Sequence, residues 1–394
     1  MKCFITDKLV MSFWQYSSFK GRDMQESVQT WKEAGFNIGF SFKYHVDDTC
    51  KDKMIELLDY CHESGMKLIM FDDRLHCHRL REMSEDDYRK EVQRSVEEFG
   101  RHPAAAAFFV CDEPTKDTLP LAKKAVRIIG EISPIPAMVN FFPMWRSKDY
   151  VDLMGVMGAD IEELYSDFAK DSGLQCMAYD CYGCMNVREP ETDMEIYFDN
   201  LNTYYRTAQK AGIPLWTSLL CTGHWHFKQP NLSDMRWQVS TALAHGVKGI
   251  QWFMLYDNED ALGDSPIDVY NEKQPSYYDL KKVNQEYMAQ LGDIIPKLEL
   301  EEVYHYGNAY GRTQLYTRCD EYLKDFVAKY HDFALISRFK HVETGRIWYM
   351  FVNGSREAGN FFSYTFGEPY AHLNGGRWLS PGKCCLVELK ERGK

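Results

Sequence analysis

One punctuation mark recurs along this chain at a spacing that few architectures can use. Glu33-Ala34-Gly35-Phe36-Asn37, Glu63-Ser64-Gly65-Met66-Lys67, Lys210-Ala211-Gly212-Ile213-Pro214 and Ala244-His245-Gly246-Val247-Lys248 each end a helix-like stretch on glycine and then enter an apolar run. Glycine in that place takes the left-handed conformation that closes a helix. Looser copies stand at Gly100, Gly130 and Gly173. Neighbouring members lie 30 to 43 residues apart, room for one β-strand and one α-helix, so the seven junctions separate eight strands.

The predicted strands are Leu9–Trp14, Asn37–Phe42, Lys67–Asp72, Ala105–Cys111, Ala137–Phe142, Leu174–Asp180, Pro214–Leu220 and Gly249–Leu255. Most are continuously apolar, as strands covered on both faces must be. The segments between them carry helical periodicity: Met24, Val28 and Trp31, then Met54, Leu57, Leu58 and Cys61. A last helix is expected over Tyr277–Leu291. Strand and helix alternating eight times predict a (β/α)8 TIM barrel over residues 1–296. The competing open, doubly wound sheet would carry a glycine-rich phosphate loop after its first strand, and none is there.

Beyond Pro296 the texture changes. Phe333–Phe339 and Ile347–Val352 flank a turn at Glu343-Thr344-Gly345, and further short strands follow. Residues 297–394 therefore read as a small C-terminal antiparallel β-sandwich docked on the barrel.

Composition excludes several classes of function. The formal charge is −12, from 46 Lys+Arg against 58 Asp+Glu, which disfavours a nucleic-acid partner. Neither a basic block nor a membrane-spanning apolar run is present, so no membrane partner is expected. Met1–Asp7 lacks the apolar core and cleavage site of a signal peptide, so a cytoplasmic location is expected. The 12 cysteines are scattered, several of them inside apolar runs, and read as buried thiols. The outlier is aromatic content, with 25 Tyr, 23 Phe and 9 Trp, which suits a cleft that stacks on sugar rings.

In a TIM barrel the reactive groups stand at the C-terminal ends of strands. Those ends offer Trp14 and Tyr16; Asp72, Asp73 and Arg74; Asp112 and Glu113; Asn140; Asp180 and Tyr182; Cys221, His224 and His226; Trp252, Tyr256 and Asp257. Carboxylates among aromatics are the chemistry of a glycosidase. Phe108-Phe109-Val110-Cys111-Asp112-Glu113-Pro114 is the strongest motif: a buried strand delivers two adjacent acids to the barrel mouth. Like charges side by side push one pKa up, so one acid can stay protonated and act as a general acid. The bland alternative is a helix cap or an arginine partner.

The eight-strand frame, the strand-four acid before Pro114, Trp252 on strand eight and the trailing β-domain resemble the retaining glycoside hydrolases of the clan A type. That resemblance implies Glu113 as acid/base. The chain departs from the clan in carrying Asp112 where the clan has Asn, and in Pro214–Cys221, which holds no acid for a nucleophile. Asp-Glu-Pro is closer to the substrate-assisted β-N-acetylhexosaminidases of glycoside hydrolase family 123 and their relatives. There the substrate's own acetamide attacks, which implies Asp112 as its polariser, Glu113 as acid/base, Tyr182 or Tyr256 as a hydrogen-bond partner of the acetamide, and N-acetylgalactosamine as the sugar.

The expected catalytic residues are Asp112 and Glu113. The expected substrate-binding residues are Trp14, Asp73, Asn140, Asp180, Tyr182, His224, Trp252 and Tyr256, with Trp145 and Trp225 as further sugar platforms. Trp31 and Trp237 fall in helices and read as core, and Cys221 reads as inert packing. His76-Cys77-His78 and His224-Trp225-His226 have a spacing that can hold a divalent metal, but no carboxylate joins either at a recognised spacing, so no metal and no cofactor is expected. The expected partner is an oligosaccharide or glycoconjugate glycan, and a homo-oligomer is compatible with the sequence. The alternatives are a β-galactosidase-type enzyme with a carboxylate nucleophile such as Asp180, and a carbohydrate-binding barrel without turnover. A metal-dependent sugar isomerase or hydrolase stands behind both.

Overall fold

The computed structural model describes residues 7–45, 50–145, 147–156, 159–188, 190–257, 264–318 and 320–392. Eight parallel strands form one sheet: β1 (Val10–Phe13), β2 (Ile38–Phe40), β3 (Lys67–Met70), β4 (Ala105–Asp112), β5 (Ala137–Phe141), β6 (Met177–Asp180), β7 (Leu215–Leu220) and β8 (Gly249–Phe253). Neighbours follow chain order and β8 returns to pair with β1, with Val10 opposite Gly249 and Phe13 opposite Trp252. Every strand expected from the sequence is present; seven are shorter at their ends, and β4 runs one residue further, to Asp112.

The junction between β1 and β2 is made differently. No ladder joins these strands among the described residues. Instead the Asn37 side chain accepts from the Met11 N–H (2.9 Å) and donates to the Leu9 carbonyl (2.9 Å), while the Asn37 N–H donates to the Met11 carbonyl (3.1 Å). Higher up, Gln15 Nε2 donates to the Phe40 carbonyl (3.0 Å). Side-chain amides thus supply the bonds that a regular ladder would have made.

Helices pack on the outside of the sheet through the faces that periodicity predicted. Met24, Val28 and Trp31 are buried on one, and Met54, Leu57, Leu58 and Cys61 on the next. Five of the seven punctuating glycines, Gly35, Gly65, Gly173, Gly212 and Gly246, have φ between 68° and 84°. The two others do different work. Gly130 lies inside the helix Leu119–Ile132, whose end comes at Ser133-Pro134. Gly100 ends the π-helical turn Val96–Gly100, where an added Cβ would stand 3.1 Å from the Phe108 ring.

The C-terminal strands are β9 (Leu298–Gly307), β10 (Gln314–Leu315), β11 (Leu323–Ala328), β12 (Phe333–His341), β13 (Ile347–Asn353), β14 (Asn360–Phe366), β15 (Gly375–Leu379) and β16 (Cys384–Glu388). They form a five-stranded sheet in the order β10-β9-β12-β13-β16 and a three-stranded sheet β11-β14-β15. All pairings are antiparallel except the two-residue contact of β10 with β9. Alternation along β12 and β13 serves two cores. Ile336, Tyr349 and Phe351 pack between the sheets with Phe326, Phe362 and Phe366, whereas Leu335, Phe339, Met350 and Val352 join the core of the barrel. Trp237 Nε1 donates to the Gly354 carbonyl (2.8 Å) and Ser337 Oγ to the Ala244 carbonyl (2.7 Å) across this junction. A sheet buried on both faces in this way makes barrel and sandwich one packed unit. No described helix is long and apolar enough to cross a membrane.

Candidate active site

The C-terminal ends of the barrel strands surround a cavity of about 320 Å³. Its wall carries Asp112 and Glu113 from the end of β4, Asn140 from β5, Asp180 from β6, Ser218 from β7 and Phe253 from β8. Trp14 and Tyr16 follow β1, Phe142, Pro143 and Trp145 follow β5, Tyr182 follows β6, and His224, Trp225 and Phe227 follow β7.

β4 carries its two acids to the rim in unlike conformations. Asp112 is still in register, opposite Asn140 of β5. Glu113 stands next before Pro114, where the proline ring bars the right-handed helical region. It takes φ 42° instead, with its N–H donating to the Asn140 carbonyl (2.8 Å). That conformation is costly for a residue with a Cβ. Both acids thereby face the same hollow.

Asn140 ties the carboxylates together. Its Nδ2 donates to Asp112 Oδ1 (3.1 Å) and to Asp180 Oδ1 (2.8 Å), so acids from β4 and β6 stand side by side. Burial pushes Asp112 up to about 6, against the hydrogen bonds of Asn140 and Tyr16, which pull it down. Burial also raises Asp180, with the neighbouring Asp112 charge adding to the effect and the Asn140 bond opposing it. Glu113 is raised well above the carboxylate range, first by burial and then by the charges of Asp180 and Asp112. No described side chain donates a hydrogen bond to the Glu113 carboxyl, so nothing offsets the cost of ionising it. Within the trio, Asp112 is the group best supplied with donors and Glu113 the group that keeps its proton.

His224 completes the opposite wall. Its Nδ1 lies 3.1 Å from the Thr222 carbonyl, and a carbonyl only accepts, so Nδ1 carries the proton. Burial lowers its pKa, which keeps the ring neutral and leaves Nε2 as an acceptor. Tyr182 stacks at a tilt on Phe253 (5.4 Å between centroids) and meets the His224 ring edge-on (6.0 Å).

The structure thus gathers Trp14, Asp112, Glu113, Asn140, Asp180, Tyr182 and His224, from five strand ends, around one hollow. Three other residues expected there are elsewhere. Trp252 is fully buried and faces the helix layer, its Nε1 donating to Asn284 Oδ1 (2.8 Å). The next residue of β8, Phe253, is the one that faces the cavity, and a continuous apolar run gives no means of telling the two parities apart. Tyr256 is buried beside the first helix, where its hydroxyl accepts from Trp31 Nε1 (2.7 Å) and its ring lies under the Arg22 guanidinium (4.3 Å). Asp73 is held by ion pairs with Lys43 (3.2 Å) and Arg79, and is not part of the cavity wall. Asp72, also fully buried, forms the ion pair of Arg74 (2.6 Å) and accepts from Ser95 Oγ (2.5 Å).

Sequence reading did not single out Ser218, Phe142, Pro143, Phe227 or Phe253. Tyr16 was visible as a strand-one end, but its bond to Asp112 was not. His76, Cys77 and His78 bring ligand atoms within 4.8 Å of one another, with Cys77 Sγ already 3.1 Å from Cys111 Sγ. His226 is absent from the wall. Cys221 is buried, its thiol raised by burial and donating to the Met254 carbonyl (3.4 Å).

Comparison with known proteins bears on the fold. No protein-family model and no curated protein matches the sequence. Solved structures do match in three dimensions. A β-galactosidase from the psychrophilic Marinomonas ef1 aligns with TM-score 0.56 at 12% identity, over 74% of this chain and 62% of that one. This chain spans about three fifths of the length of that enzyme and of a cold-adapted β-galactosidase from Rahnella sp. R3. A protein described as a glycoside hydrolase aligns with TM-score 0.59 at 12% identity, over 98% of this chain and 93% of that one. A glycoside hydrolase family 5 protein from Bacteroides vulgatus ATCC 8482 aligns with TM-score 0.56 at 11% identity, over 98% and 90%. The architecture, a (β/α)8 barrel with a C-terminal β-domain, is therefore one that glycoside hydrolases share with this chain over nearly its whole length.

Proposed function

We propose that this chain is a retaining glycoside hydrolase with Glu113 as general acid/base. The observation that carries the reading is the convergence of Asp112, Glu113 and Asp180 in one aromatic-walled hollow, with Glu113 the carboxyl that burial and two neighbouring charges hold protonated. A group of that kind can give its proton to a glycosidic oxygen as the bond to the anomeric carbon breaks. The fold-level likeness to glycoside hydrolases supports the reading by analogy.

For the nucleophile, the arrangement around Asp112 favours substrate assistance on a β-linked N-acetylhexosamine. Strand seven brings no acid to the cavity. Asp112, oriented by Asn140 and Tyr16, stands beside Glu113 where it can polarise an acetamide N–H. The acetamide oxygen then attacks the anomeric carbon while Glu113 protonates the departing oxygen. The resulting oxazolinium ion keeps its N–H, hydrogen-bonded to the Asp112 carboxylate, and is opened by water, which gives a proton to the Glu113 carboxylate and its oxygen to the anomeric carbon. Galactosamine is the sugar we propose first. A panel of aryl β-glycosides with and without a 2-acetamido group tests this: turnover should require the acetamide, and a thiazoline analogue should inhibit strongly. Equal rates with and without it would rule the mechanism out.

One observation favours a second reading. Asp180 shares the Asn140 Nδ2 with Asp112 and its charge acts on Glu113, which is the placing of a carboxylate nucleophile opposite an acid. A 2-fluoro glycoside that labels Asp180 would establish it. Glycan binding with no hydrolysis of any panel member would make the chain a carbohydrate-binding barrel. We place the enzyme in the cytoplasm, trimming imported oligosaccharides; recovery of the natural product outside the cell would overturn that placing.

A further inference from the structure

Among the described residues other than glycine, Glu113, Trp225, Asn271, Arg312 and Arg318 have positive φ. Two of the five, Glu113 and Trp225, line the same cavity. For Glu113 the following proline is a local cause. Trp225 has none: it is a bulky aromatic at φ 50°, followed by His226. Such a conformation persists only where its surroundings impose it, and packing of the indole does not, because Trp225 is 83% exposed. Its one ring neighbour among the described residues is His224, at 5.2 Å and 64°. The loop around it is fastened instead. The Phe227 N–H donates to the His224 carbonyl (2.8 Å), and Phe227 bridges to Asn186 on the far side. Both neighbours in the cavity wall, His224 and Phe227, are buried, so the loop holds its ends down and presents the indole to solvent at the mouth.

An indole kept out of the core at a conformational cost, on the rim of a cavity that encloses the acids, is a surface waiting for a flat apolar face. We infer that Trp225 is the stacking platform for the sugar ring that projects from the cavity on the leaving-group side of the bond Glu113 protonates. The inference rests on the glycoside hydrolase reading and adds to it a binding position beyond the enclosed sugar. Pyranose rings present C–H faces that fit an aromatic ring, and the exposed position makes the contact one that only the outer part of a substrate can reach.

The test separates stacking from structure. Trp225→Gly and Trp225→Asn both suit the left-handed backbone, so neither should lower the melting temperature, and the glycine variant should hold or raise it. Each should raise KM roughly 3- to 10-fold on a disaccharide with a pyranose leaving group, the size of one lost aromatic contact. On the glycosyl fluoride of the same sugar, whose leaving group has no ring to stack, kcat/KM should stay at the wild-type value. Equal losses on both substrates, or a lowered melting temperature in both variants, would overturn the inference while leaving the glycosidase reading intact. If the wild-type chain hydrolyses neither substrate, that reading falls and the inference falls with it.

Discussion

The barrel holds an ionisable group away from its ordinary pKa at each end, and the two are unlike in a way that separates a site from a scaffold. At the lower end, between the starts of β7 and β8 and the first strand of the sandwich, a mostly apolar hollow contains Lys248, whose ammonium burial pushes down to about 7. At the upper end burial pushes Glu113 in the opposite direction. Lys248 is answered by backbone: its Nζ donates to the carbonyls of Ile295 (2.7 Å) and Leu298, tying the last turn of the barrel to β9. Among the described residues Glu113 is answered by nothing except further carboxylates. Burial alone therefore does not mark function. What distinguishes the upper cavity is a perturbed group that no described side chain partners, at the face where this fold collects the ends of its strands.

The largest expected effect breaks the comparison at its functional end. Glu113→Gln should lower kcat about 10²- to 10⁴-fold on substrates with poor leaving groups, with the melting temperature unchanged or raised. Steady-state kinetics on the best substrate of the aryl panel measures it, and a loss below tenfold would remove Glu113 from the chemistry.

Next comes the dependence on pH. Glu113 must be protonated to act as the acid, so kcat/KM should fall as pH rises through its raised pKa. Asp112 must be ionised, so activity should also fall as pH drops below about 6. Asn140→Ala removes a hydrogen bond that favours the Asp112 carboxylate, and its acid limb should move to higher pH. An acid limb that stays in place would show that Asp112 does not set it.

Asp180→Asn sharpens the picture further. It removes the like charge that, after burial, does most to raise Glu113, so the alkaline limb should shift to lower pH with a smaller loss of rate than in Glu113→Gln. A loss as deep as that of Glu113→Gln would instead make Asp180 the nucleophile.

At the lower end the expected effects are on stability alone. A lysine with a depressed folded pKa binds fewer protons in the native state than in the unfolded one, so stability rises with pH between about 7 and the ordinary lysine value. Lys248→Met should abolish that rise in melting temperature and cost about 1–3 kcal/mol for the lost bonds to the Ile295 and Leu298 carbonyls, the first of which keeps the Leu298 N–H. Its kcat should match wild type; a lost rate would mean that the two ends communicate. Trp252→Phe, which leaves the buried Asn284 Oδ1 without its donor and a void where the indole packed, should likewise cost about 2–4 kcal/mol of stability with turnover unaffected.

Much of this is legible in the sequence. Glycines closing helices, apolar runs and the 3.6-residue periodicity located all eight barrel strands, because these signals depend on neighbours a few residues apart. Where the signal was purely compositional it misled: Gly130 reads as a helix end and lies within a helix, and β6 starts at Met177 rather than Leu174. In the site, the end of β4 was legible because Asp112-Glu113-Pro114 interrupts an apolar run. Trp252 and Phe253 were not separable, since both suit a strand buried on two faces.

The sequence by itself determined that strands and helices would alternate eight times, that a β-domain would follow, and that carboxylates would stand at the strand ends. Those outcomes rest on local conformational preference and on hydrophobic patterning. Only the tertiary structure decided that Asp112 and Asp180, 68 positions apart, would share one amide of Asn140, and that Asp73, Trp252 and Tyr256 would turn elsewhere. Which side chains meet depends on strand register and on the closure of the barrel, and closure joins residues whose distance along the chain carries no information about their distance in space.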